Sequence, residues 1–211
     1  QNFSSSRNFP GSILPPFLVK WWFKPKEVLL MKWMIAFDLH GSAYYCKLLM
    51  QRWAEEQADT LIFLGDILYH GPRNDLPRDY APKEVIAMLN PLADKLLCLR
   101  GNCDCQVDQM VLQFPILADY AVLAECGRRI YLTHGHVINK DHPLPFAEGD
   151  ILLHGHTHVP VCEDCGTFRY LNPGSVSIPK NGSRHSYMTL ENGQFTWKDV
   201  TTGEPWQNWS L

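Results

Sequence analysis

From Trp33 onward the chain repeats one pattern: a short apolar run, a polar or glycine stop, then a stretch whose apolar residues recur at helical spacing. Five runs read as buried strands, at 33–37 (WMIAF), 61–64 (LIFL), 96–99 (LLCL), 130–132 and 151–153. Between the first two, Ser42 is placed to cap a helix bearing Tyr45, Leu48, Leu49 and Trp53 on one face. Pro82 suits the first position of a second helix, with Val85, Ile86, Met88 and Leu89 as its apolar side. Strands alternating with helices predict an α/β sheet, parallel at least in its first half. After residue 160 the pieces become short and β-like, and Asn192-Gly193 between two such runs predicts a hairpin. No linker-like stretch divides the chain after residue 30, so residues 31–211 are expected to form one domain.

Residues 1–30 have a different character. They lack an initial Met, carry four prolines and never reach the roughly 18 apolar residues of a spanning helix. We read them as a leader or non-native extension before Met31, with a docking arm built on Trp21, Trp22 and Phe23 as the alternative.

Polar residues fall where the strands stop. The five runs end in Asp38-Leu39-His40, Gly65-Asp66, Gly101-Asn102-Cys103-Asp104, Thr133-His134-Gly135-His136 and His154-Gly155-His156-Thr157-His158. Ligands bind at the carboxyl ends of strands in open α/β sheets, so five clusters of carboxylate, amide and imidazole are expected to converge on one edge of one sheet. Asp38 and His40 stand two apart, as do His156 and His158, and in extended chain each pair would face one side. Oxygen and imidazole donors without a dominant thiolate suit manganese, iron or zinc. There are more donors than one ion needs, which points to two ions and to activation of water against a phosphoryl group. A lone His or a lone Gly-Asp is ordinarily a core or turn residue; the ordered set of five is what favours metal.

Composition narrows the partners. Nineteen basic against 22 acidic residues give a net charge of -3, which argues against a nucleic-acid duplex or a membrane surface as partner. Seven scattered cysteines favour reduced thiols and a cytoplasmic protein. The single CxxC, Cys162 to Cys165, has no second half to complete a zinc knuckle and reads as a hairpin turn.

Taken in order, "DLHG", "GDILYHGPR", "RGNCD", "THGH" and "GHTH" resemble the signature of the calcineurin-like metallophosphoesterases. A bacterial phosphodiesterase subgroup also shares "YAPKEVIAMLN", "NCDCQVDQM" and "NPGSVSIPK", so the resemblance covers roughly residues 31–190. It implies a four-layer α/β/β/α sandwich with a dinuclear centre, most often manganese, between the loops of the sheets. Asp38, His40 and His158 would hold one ion, Asn102, His134 and His156 the other, and Asp66 would bridge them. The implied reaction is hydrolysis of a small phosphodiester by a metal-activated hydroxide. Where many members carry His after the Gly-Asn pair, this chain has Cys103, expected to face the substrate as a catalytic or tuning group. Asp104 is expected to orient His134 or another ligand, Arg73, Asn74 and His136 to meet substrate, and Asn172, Gly174 and Ser175 to form a loop near the metals. His154 is set apart from the ligands. The rival reading is a protein-interaction scaffold like the retromer subunit of this fold; a complete ligand set argues against it. Exposed apolar side chains leave room for a homo-oligomer.

Overall fold

The computed structural model describes residues 31–211; the reading of residues 1–30 lies outside them. Strands β1 (Trp33–Ala36), β2 (Thr60–Phe63) and β3 (Leu96–Cys98) are parallel neighbours, joined through helices α1 (Ala43–Glu56) and α2 (Pro82–Leu89). Helix α1 starts where the sequence says it should: the Ser42 hydroxyl accepts a hydrogen bond from the Tyr45 amide at 3.2 Å. Pro82 occupies the first turn of α2, where its missing N–H costs nothing.

The late strands β9 (Ser186–Glu191), β10 (Gln194–Asp199) and β11 (Pro205–Ser210) extend the same sheet, in the order β11-β10-β9-β1-β2-β3, with β9 antiparallel to β1. Asn192 and Gly193, with φ of 52° and 74°, form the predicted hairpin between β9 and β10. Both central residues are left-handed, which matches the twist of the flanking strands.

A short helix α3 (Gln106–Val111) leads to the second sheet. It contains β4 (Tyr120–Glu125), β5 (Arg128–Thr133), β6 (Asp150–His154), β7 (Val161–Asp164) and β8 (Phe168–Asn172), in the order β4-β5-β6-β8-β7. The two sheets face each other across one apolar layer in which Ile35, Ile62, Leu132, Ile151, Leu171 and Trp197 are fully or almost fully buried. The alternate residues of the first sheet, among them Met34, Leu61 and Phe63, pack outward against α1 and α2. On the outer face of the second sheet, Phe146 from the segment before β6 packs against Tyr131 and Phe168, with ring centroids 4.8 Å apart in both pairs. The Trp197 indole N–H donates to the Asn172 carbonyl at 2.7 Å, linking β10 to β8 through the core.

One expectation is corrected here. The five strands that end in polar clusters do not belong to one sheet: β1, β2 and β3 lie in the first, β5 and β6 in the second. Hydrophobic pattern marks strands but not partners, and the face-to-face stacking brings the two sets of strand ends together. The CxxC does lie at the hairpin of β7 and β8, with Cys162 in the strand and Cys165 in the turn. Among the described residues no helix is long and apolar enough to cross a membrane.

Candidate metal centre

The loop after β1 carries Asp38 and His40, and both residues are left-handed, with φ of 54° and 49°. Asp66 (56°), His156 (65°) and His158 (63°) share that conformation. The expectation that the paired residues face one way because the chain is extended is therefore wrong in its reason, though Asp38 and His40 do meet and His156 and His158 line one cavity. The strands stop at Ala36 and His154, and tight loops, not pleat alternation, aim the side chains. These loops are tied together: the His40 amide donates to the Asp66 carbonyl at 2.9 Å and the Gly41 amide to Ile67 at 2.8 Å. Gly101 has no room for a side chain, because a Cβ there would strike the Asp66 carboxylate.

Three imidazoles are held alike. Nδ1 of His40 lies 2.8 Å from the Tyr69 carbonyl, Nδ1 of His134 2.8 Å from that of Leu64, and Nδ1 of His158 2.8 Å from that of Ile178. A carbonyl only accepts, so each Nδ1 carries the proton and each Nε2 presents a lone pair. Those Nε2 atoms point at carboxylates: His40 lies 3.4 Å from Asp38 Oδ1, and His158 3.2 Å from Asp38 Oδ2. Asp66 Oδ2 sits between two rings, 3.7 Å from His40 Nε2 and 3.6 Å from His134 Nε2. On the far side of His134, its Nε2 lies 2.9 Å from Asn102 Oδ1 and 3.2 Å from His156 Nδ1. Lone pairs converge here with no donor between His134 and Asn102.

The fit to cations can be tested on the polar atoms themselves. Among the described residues, both carboxylate oxygens of Asp38 and Nε2 of His40 are buried without a hydrogen-bond partner. A fully buried carboxylate without a partner is costly, and a coordinated cation removes that cost. Burial accordingly pushes the Asp38 carboxyl well above its ordinary range. It also raises Asp66, to about 7, with the nearby Asp38 charge adding to the effect. The histidines shift the opposite way for the same reason: burial lowers His40 and His134, and takes His158 to about 4, so all are neutral at pH 7. Neutral imidazoles and carboxylates are the protonation states that bind a divalent ion. Triads whose donor atoms lie within 4.8 Å of one another are Asp38-His40-His158, His40-Asp66-Cys103 and Asp38-Asp66-His134. All seven residues expected to bind metal thus gather at one place.

The surrounding residues divide. The Cys103 amide donates to Asp66 Oδ1 at 2.8 Å, and its sulfur accepts from Asn102 Nδ2 at 3.2 Å. Burial and the Asp66 carboxylate raise the Cys103 thiol, so it stays protonated at neutral pH. Arg73 and Asn74 line a cavity of about 410 Å³ over Asp66, Asn102, His156 and His158, and so do Thr157 and Lys180, which sequence reasoning missed. Lys180 ends the quoted block "NPGSVSIPK", and its charge was the available signal. His136 stands beside the centre, its ring centroid 5.1 Å from that of His134 and 6.2 Å from that of His156, and with His134, Asp119 and Val137 it lines an adjoining cavity of about 180 Å³.

Of the partners expected for Asp104, His134 is not the one, since its Nδ1 faces the Leu64 carbonyl; another ligand, Asp66, is the one it holds. The Asp104 carboxylate accepts from the amides of Asp66 (2.8 Å), Ile67 (3.0 Å) and Gly101 (2.7 Å), and so clamps the loop that presents Asp66. The late loop holds backbone too: the Ser175 and Ser177 hydroxyls donate to the Asp38 carbonyl, at 3.2 and 2.7 Å, and Asn172 Nδ2 donates to Gly155 at 3.1 Å. His154 faces away, stacked on Tyr170 with centroids 4.2 Å apart.

Comparison with known proteins gives one family. The model of the calcineurin-like phosphoesterase superfamily domain matches residues 31–194. Phosphodiesterase YfcE of Escherichia coli (strain K12) is 45% identical over 163 residues, covering 77% of this chain and 89% of that protein. The probable metallophosphoesterase YsnB of Bacillus subtilis (strain 168) is 25% identical over 175 residues, 79% of this chain and 88% of its own length. Among solved structures, the phosphoesterase YfcE from E. coli superposes with a TM-score of 0.83 at 41% identity, over 86% of this chain and all of that one. Vps29 of Entamoeba histolytica in complex with zinc matches with a TM-score of 0.56 at 20% identity, over 85% of this chain and 99% of that one, which shows the shared fold alone.

Proposed function

The chain belongs to the calcineurin-like phosphoesterase superfamily, and on that footing we propose that it is a metal-dependent enzyme hydrolysing small phosphodiesters at the strand-end cluster. The observation that carries this reading is the combination at Asp38: a buried carboxylate without a hydrogen-bond partner, faced by two imidazole nitrogens whose protons are fixed on the opposite side of each ring. Such a set is arranged for a cation and costs stability without one.

In this proposal Asp38, His40 and His158 hold one divalent ion and Asn102, His134 and His156 a second. Asp66 is shared, as its position between His40 and His134 suits. When bound, two divalent ions lower the pKa of water at the centre and offset the charge of a phosphoryl group; manganese is the expected metal. The protein's own groups do the rest. Tyr69, Leu64 and Ile178 carbonyls fix the imidazole tautomers, and Asp104 fixes the loop of Asp66. Cys103, protonated and beside Asp66, is placed to offer its S–H toward a leaving oxygen. Arg73 reaches substrate from the cavity rim, and His136 belongs to the neighbouring cavity, where it could contact the substrate's far end. The expected location is the cytoplasm. The scaffold reading is disfavoured because every ligand position carries a competent donor.

The test is purified protein loaded with manganese and offered a chromogenic phosphodiester at neutral to alkaline pH. Turnover that chelation abolishes and manganese restores is expected; metal bound with no turnover would leave a sensor or scaffold instead.

A further inference from the structure

We infer that the preferred substrate is a phosphodiester carrying a second phosphate group, and that Arg73 and Lys180 together hold that second group. The inference rests on the phosphodiesterase reading above and deepens it. Two cationic side chains line the same 410 Å³ cavity as Asp66, His156 and His158. Neither makes an ion pair within 4 Å among the described residues; the carboxylates of the centre face imidazoles instead, Asp38 those of His40 and His158 and Asp66 those of His40 and His134. Both side chains are exposed and solvated, so the fold does not depend on a partner for them, but two like charges on one cavity beside a centre built for divalent ions give its rim a positive potential that favours a further anion.

Lys180 is not on a wandering loop. Its amide donates to the His158 carbonyl at 3.2 Å, and its own carbonyl accepts from the Ser183 amide at 3.0 Å and hydroxyl at 2.7 Å, so it is anchored to the backbone of a ligand residue. On the other side, Asn74 Nδ2 donates to the His70 carbonyl at 2.8 Å, fixing the turn next to Arg73. A diester has one negative charge, which the centre itself answers. A second, doubly charged phosphate gives Arg73 and Lys180 their partner, Arg73 through its planar fork and Lys180 as a point charge. The cavity volume falls within the range of small-molecule sites and exceeds the needs of a phosphoryl group alone.

The experiment uses two chromogenic diesters with the same leaving group, the p-nitrophenyl ester of thymidine 5'-phosphate with and without a 3'-phosphate, on the manganese-loaded protein. The wild type is expected to favour the 3'-phosphorylated ester at least about 10-fold in kcat/KM, and Arg73→Met or Lys180→Met to cut that ratio about 10-fold each, as loss of one charge-assisted contact implies. Calorimetry with thymidine 3',5'-bisphosphate against thymidine 5'-phosphate reads the same preference without turnover. A wild-type ratio near one in both assays, or variants that weaken both ligands equally, overturns the inference while leaving the phosphodiesterase intact. Selective binding of the bisphosphate with no hydrolysis of either ester overturns the enzymatic reading instead and keeps the assignment of Arg73 and Lys180 to a phosphate.

Discussion

Glu56 and the Asp38–Asp66 pair are all withdrawn from water, and the chain treats them in opposite ways. Glu56, at the end of α1 with a side chain 8% exposed, is surrounded: Lys198 Nζ lies 2.6 Å and the Tyr187 hydroxyl 2.7 Å from Oε1, and Lys32 Nζ 2.9 Å from Oε2. Burial pushes its pKa up, but the hydrogen bonds from Lys198, Lys32 and Tyr187 outweigh burial and hold it below the ordinary value. At Asp38 no donor answers burial, and both oxygens face only imidazole nitrogens. Asp38 is the more deeply buried and yet the uncompensated one, which separates a carboxylate that waits for a ligand from one that holds the fold.

Breaking the uncompensated side should have the largest effect. Asp38→Asn removes the charge that His40 and His158 converge on, and we expect at least about a 1,000-fold loss of diesterase rate, about 4 kcal/mol of barrier, with manganese occupancy falling in parallel. Full activity at wild-type manganese content would remove Asp38 from the centre. Next is Asp66→Asn in metal-free protein. A carboxyl raised in the fold is most favourable below its unfolded pKa of about 4, and its penalty grows as pH rises from there through about 7. The variant lacks that penalty, so at pH 8 it should be more stable than the metal-free wild type, by at most about 4 kcal/mol, with the gap closing toward pH 4. Denaturant titration at both pH values reads it, and an equal or lower stability at pH 8 would contradict the account of that site.

The compensated side should respond with the opposite sign. Glu56→Gln leaves Lys198 without its acid and Lys32 with only Glu191, and should cost about 2 kcal/mol at pH 7, with kcat/KM changed by less than about 2-fold. Because the Glu56 pKa is depressed in the fold, its contribution is present above the unfolded value of about 4.3 and is lost as pH falls through the folded one. The smallest effect belongs to Cys103→His, which replaces a weak donor with an imidazole beside Asp66. The ratio of monoester to diester hydrolysis should shift by about 10-fold, about 1.4 kcal/mol; an unchanged ratio would mean that Cys103 only shapes the pocket.

The sequence made much of this visible for a definite reason. Strand ends in apolar runs are easy to read, and His, Asp and Asn clustered at those ends is improbable by chance, so the ligands could be found without coordinates. Their geometry could not. Left-handed loops at Asp38 and His158 leave no periodic trace, and pairing of β9 with β1 joins residues about 150 positions apart that no local pattern links. Strand β4, "YAVLAE", has an apolar run of its own, but as an edge strand ending at Glu125 it carries no cluster of donors at its end to mark it. That Asp104 serves a ligand was legible from acid standing beside ligand, but which one was not, because the backbone amides that tie it to the loop of Asp66 are invisible in any sequence.

The left-handed backbone at Asp38, His40, Asp66, His156 and His158 has an evolutionary reach. Outside glycine, the residues that tolerate this conformation best are Asn, Asp and His, and these are also oxygen and nitrogen donors. The backbone thus filters its own mutations: a chain drifting away from catalysis can keep the fold most cheaply by exchanging one donor for another or for glycine. Descendants that have lost turnover should still look half like metalloenzymes, because the loops, not the metal, restrict what can stand there.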